Sequence, residues 1–136
     1  MKKLLPILIL LSLTTQLIAQ IDDECYSIAN SESLDSEPQY GEGLKDVMNF
    51  AAQKLTPILS ESMKQSGLIP TKMIAELTIS QDGEVVNIEF IDLNVTEEYK
   101  SKVREAIQLM KWKPAMKDDK SVCATYFWNI RCFKWG

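Results

Sequence analysis

The stretch that most limits what this chain can fold into runs from Met73 to Ile91. Apolar residues recur at every second position on either side of Ser80-Gln81-Asp82-Gly83, the pattern of two half-buried strands joined by a tight turn. Met73, Ala75, Leu77 and Ile79 share one face, and Lys72, Glu76 and Thr78 the other, with Ile74 the apolar member among them. In the second arm Val86, Ile88 and Phe90 oppose Asn87 and Glu89. Asp82-Gly83 supplies the turn, because Gly adopts positive φ without a Cβ clash. A lone hairpin is marginal in water, so the rest of the chain must cover its apolar face.

Two segments have the periodicity to do so. Leu44, Val47, Ala51, Leu55 and Ile58 fall at helical spacing after the Tyr40-Gly41-Glu42-Gly43 punctuation, flanked by Met48 and Phe50. Thr56-Pro57 predicts a kink, or the cap and first position of a second helix, and Gly67 a helix stop. Beyond the hairpin, Tyr99, Val103, Ala106, Ile107 and Met110 form a second stripe, which Asn94 or Thr96 can cap and Lys113-Pro114 ends. Asn94-Val95-Thr96 also matches a glycosylation sequon, but capping is the preferred reading. Met116 to Lys120 reads as a charged turn. A last strand follows, with Val122, Ala124, Tyr126, Trp128 and Ile130 on its core side, and Thr125, Asn129 and Arg131 opposite, together with Cys123, Phe127 and Phe133. The expected fold is α+β: a three-stranded antiparallel/mixed sheet (β-β-α-β) with a leading helix and the helices on one face. A right-handed crossover gives the order second–first–last and leaves the last strand with a free edge.

The domain is expected over residues 40–136. Residues 1–19 have the layout of a secretory signal peptide: basic Met1-Lys2-Lys3, an apolar run from Leu4 to Leu13, and a cleavage point after Ala19. This predicts a periplasmic or secreted protein, or one anchored in the inner membrane if the leader is retained. Losing Lys2 and Lys3 makes the formal charge of −4 two units more negative, and an acidic chain without a basic cluster excludes nucleic acid as partner. Residues 20–39, with Asp22-Asp23-Glu24 and Ser31-Glu32-Ser33-Leu34-Asp35-Ser36-Glu37, read as an acidic linker.

Three cysteines in an exported chain permit oxidation. Cys123 and Cys132 are nine positions apart in one strand, roughly 30 Å if it is unbroken, too far to bond. Cys25 is the expected partner of one of them. Cys132 is preferred, because its parity groups it with Trp128 and Ile130.

The residues point away from catalysis. There is no His, and neither a nucleophile–base pair, a phosphate loop nor a metal-ligand cluster is legible, so no catalytic, cofactor or metal residue is assigned. Glu76 and Glu89, facing each other across the hairpin, could share acid–base work only if placed on a substrate. Trp112 is read as core packing, given the area a Trp buries.

Asp82-Gly83-Glu84-Val85, a helix, Trp112-Lys113-Pro114-Ala115, the charged turn from Lys117 to Lys120 and the apolar last strand together resemble the TonB C-terminal domain family. Pro38-Gln39-Tyr40-Gly41-Glu42-Gly43 resembles the Pro-aromatic-Gly-Gly segment that leads many of its members. The likeness covers roughly residues 38–136. It implies a non-enzymatic domain that binds a protein or peptide, such as a segment of an outer-membrane transporter, by adding it to the sheet edge. The implied site is the last strand, Val122 to Ile130. With Phe127 on its solvent side, the edge residues are Cys123, Thr125, Phe127 and Asn129. Two further readings stay open: a membrane-anchored energy transducer, and a structural domain that self-associates as a homodimer through this strand. A linker folded back from Cys25 over the edge would compete with all of them.

Overall fold

The computed structural model describes residues 25–131; the leader and Cys132 lie outside them. The hairpin forms as expected. β1 (Lys72–Ile79) pairs antiparallel with β2 (Val85–Leu93). β1 also pairs antiparallel with β5 (Ala124–Arg131) along its whole length, from Lys72↔Arg131 to Ile79↔Ala124. The sheet order is β2-β1-β5, so β5 runs parallel to β2 with β1 between them. Two short strands, β3 (Ala115–Lys117) and β4 (Lys120–Val122), form a separate hairpin. Asp118 and Asp119, both at positive φ (51° and 63°), make its two-residue turn.

β2 departs from strict alternation. Ile79 pairs with Val85 but Thr78 with Asn87, and Ala75 pairs with Phe90 but Ile74 with Asp92. Val86 and Ile91 are the extra residues of two bulges, which reverse the phase of the strand at each end. Val85 and Leu93 therefore turn into the core, and Val86 and Ile91 are 59% and 53% exposed. The expectation that Val86 lies on the core face is corrected by this shift.

The leading helix starts at Leu44. α1 (Leu44–Phe50) passes through a single wide turn, Ala51–Leu55, into α2 (Thr56–Ser66). Pro57 has no N–H to donate and its ring would crowd the carbonyl four residues earlier. The chain answers by widening rather than breaking: the Thr56 N–H donates to Ala51 O, five residues back, and the Thr56 hydroxyl donates to the same oxygen at 3.3 Å. Val47, Ala51, Leu55 and Leu59 stay on one buried stripe as a result. Gly67 ends α2 at φ 74°.

α3 (Glu97–Gln108) begins after Thr96, which holds the cap position without a side-chain capping bond. Its Tyr99, Val103 and Ile107 join Met110, Leu55, Leu59, Met73, Leu77 and Ile79 in one core, so the helices share one face of the sheet. Arg104 of α3 reaches β2. Its guanidinium donates to Ile88 O at 2.6 Å and lies 5.1 Å from the Phe90 ring centre. Among the described residues no helix is long and apolar enough to cross a membrane.

Candidate functional site: the outer edge of β5

Two motifs that are distant in sequence meet at one end of the sheet. The Trp112 N–H donates to Gly83 O at 2.8 Å. A Cβ on Gly83, which sits at φ +84°, would lie 2.0 Å from the Trp112 carbonyl oxygen. The turn thus needs Gly both for its conformation and for its close approach to the neighbouring backbone. Lys111 donates to Glu84 at 2.6 Å across the same junction, and this hydrogen bond and charge hold the Glu84 carboxyl below its ordinary range. Trp112 is 5% exposed, the packing role expected of it. Its ring lies 4.7 Å from Tyr126 and 5.5 Å from Tyr40. The junction fixes the Met110–Pro114 segment, which leads through β3 and β4 into β5.

Residues 25–39, expected to be a linker, are bonded to the domain. Cys25 is joined to Cys123, with Cα atoms 4.5 Å apart. This corrects the preference for Cys132. The arm arrives beside the start of β5, where Tyr26 donates to Cys123 O and accepts from the Thr125 N–H, both at 2.9 Å, so Cys123 is the cysteine that Cys25 meets. A 3-10 turn (Ile28–Ser33) follows. The chain then bonds to β3 through Ser36 and Met116, and to the preceding residues through Gln39 and Lys113. Asp35 accepts from the Asp118 N–H at 2.7 Å, and Lys117 donates to Ser33 O.

The arm divides the four expected edge residues into two pairs. The Cys123 carbonyl and the Thr125 N–H are taken by Tyr26. Because the Thr125 N–H points away from β1, alternation turns the backbone groups of Phe127, Asn129 and Arg131 outward as well. No other backbone group among the described residues bonds to these three from outside the sheet. Their side chains lie on the sheet face that no helix covers. Phe127 is 44% exposed there, opposite Glu76, which in turn pairs with Glu89. Beside the open edge, Ile28, Glu37, Pro38, Thr125, Tyr126 and Phe127 line a cavity of about 120 Å³. A larger hollow of about 410 Å³ shares Glu37, Pro38 and Tyr126 with it and adds Tyr40, Trp112 and Glu42. Burial, and after it the Glu37 charge, push the Tyr126 phenol above its ordinary range.

The class of protein defined by these features is a two-layer α+β domain whose three-stranded sheet has a partly open edge at β5. No family model matches the chain, and no curated protein does. Among solved structures it is similar to the TonB C-terminal domain of Pseudomonas aeruginosa, at 22% identity and a TM-score of 0.37 over 54% of this chain and 77% of that one. It is also similar to the TonB C-terminal domain of Helicobacter pylori (residues 179–285), at 20% identity and a TM-score of 0.32 over 70% of this chain and 90% of that one.

Proposed function

We propose that the chain is an exported, TonB-like binding domain, periplasmic or secreted and linked to outer-membrane transport. It takes an extended segment of a protein or peptide partner onto the outer edge of β5. The observation that carries this reading is the ladder Tyr26 opens and does not complete: Cys123 and Thr125 are bonded to the arm, while the outward groups of Phe127, Asn129 and Arg131 have no backbone partner among the described residues. An incoming strand would extend that ladder. Main-chain hydrogen bonds would supply affinity and alternate side chains selectivity. No residue is assigned a catalytic role.

Amide exchange of the free monomer tests the edge. The N–H groups of Phe127, Asn129 and Arg131 should exchange quickly, and those of Thr125 and Trp128 slowly. Slow exchange at every amide from Val122 to Ile130 would mean that the edge is already filled, and the reading would fail. Asn129→Pro should weaken partner binding while leaving the fold intact, since an edge strand tolerates Pro where its N–H faces outward. Exposed Phe127 beside an open ladder also favours self-pairing through the same edge. Light scattering that finds a dimer lost on Asn129→Pro would assign the edge to a second copy.

A further inference from the structure

The open edge leads into a pocket whose chemistry selects among extended segments. Its walls combine apolar and aromatic side chains, Ile28 and Phe127 (42% and 44% exposed) with Pro38 and Tyr126, and the hydroxyl residues Ser31 and Thr125. Its one charged lining residue is the exposed Glu37. The adjoining hollow adds a second carboxylate, Glu42, and the Tyr40 and Trp112 rings, and again no Lys or Arg lines it. Across the open face of the sheet, Glu76 on β1 and Glu89 on β2 stand in register with Phe127. A strand that continues the ladder from Phe127 therefore starts beside a slot with an acidic rim and ends at the basic pair Arg131 and Lys72.

Resting on the edge-binding reading above, we propose that the cavity between the 3-10 turn and β5 is a subsite for a basic side chain, Lys or Arg, of the bound extended segment. The hydrocarbon stem of such a side chain lies along Ile28, Pro38 and Phe127, and its cationic head reaches Glu37. Long basic side chains suit this division, because their stems bury against apolar surface while the charge stays hydrated. Tyr126 and Phe127 also offer ring faces to a cation. An acidic residue at the same position meets the Glu37 carboxylate, and a short polar one leaves the apolar walls uncovered. The subsite thus favours one class of side chain and rejects another through the same carboxylate.

The test uses the oxidised full domain and a set of synthetic heptapeptides of alternating sequence. They are identical except for a central Lys, Arg, norleucine or Glu. Titration is followed by the backbone amide shifts of Phe127, Asn129 and Arg131, which report edge binding directly. The Lys and Arg peptides should bind roughly fivefold more tightly than the norleucine peptide, the scale of one exposed ion pair aided by a ring contact, and the Glu peptide should bind most weakly. Glu37→Gln should reduce the Lys-over-norleucine ratio to below about twofold, the loss of that ion pair, whereas Glu97→Gln, the same charge change on α3, should leave it in place. Edge shifts with equal affinity for Lys and norleucine, or a ratio that survives Glu37→Gln, would overturn the subsite and leave the edge reading standing. Failure of every peptide to shift the three edge amides would overturn both.

Discussion

Removing the Cys25–Cys123 cross-link is the perturbation with the largest expected effect. The two residues are 98 positions apart, so the bond closes a loop that spans nearly all of the described chain. The chain-entropy relation assigns a loop of that size roughly 4.7 kcal/mol, an upper figure because residual structure in the unfolded chain reduces it. The arm itself has little else to hold its first residues. Tyr26 contributes two backbone hydrogen bonds, each worth about 1 kcal/mol net, against an ordering cost of ~1–2 kcal/mol for every residue fixed. Cys25→Ser, compared with its parent in a Cys132→Ala background, should therefore lower the unfolding free energy by about 3–5 kcal/mol in urea. It should also release the arm locally. The Thr125 amide should lose protection, while Leu77 and Trp128, inside the β1–β5 ladder, remain the slowest to exchange. A loss below about 1 kcal/mol with Thr125 still protected would refute the reasoning, since neither the unfolded chain nor the arm would then depend on the cross-link.

Two further outcomes follow from single positions. Gly83→Ala should cost at least the ~1–2 kcal/mol of a left-handed Ala, and more because its Cβ would meet the Trp112 carbonyl oxygen at 2.0 Å; urea unfolding should show it, with Trp112 fluorescence changing in the folded state. Ser62→Ala should raise stability by about 1 kcal/mol, because the Ser62 hydroxyl is buried in α2 without a hydrogen-bond partner, and a lower thermal midpoint would contradict that account.

Much of the architecture was legible because it depends on local periodicity. Alternation from Met73 to Ile79 is enough to place four side chains on one face, and they are the fully buried centre of the sheet. The helical stripes at Val47, Ala51 and Leu55 and at Tyr99, Val103 and Ile107 work in the same way, and the order of elements restricts the sheet to β2-β1-β5. Gly83 and Trp112-Lys113-Pro114 were both visible as punctuation. Their contact was not, because it joins backbone atoms of residues 29 positions apart through a bond no side-chain pattern encodes.

What only the tertiary structure decided concerns the edge. The bulges at Val86 and Ile91 shift the phase of β2 without changing its composition, since an apolar residue is present at either phase. Residues 25–39 carry no hydrophobic period because they are held largely by main-chain bonds to Met116, Lys113 and Thr125, by a disulfide and by the insertion of Pro38. Such bonds are available to any sequence, so composition alone made the segment look like a solvated linker. By itself the sequence determined that the last strand would pair with β1 and turn Phe127 outward. How much of its outer edge stays open depends on where Cys25 lands, and proximity in space, not parity along the chain, joins it to Cys123.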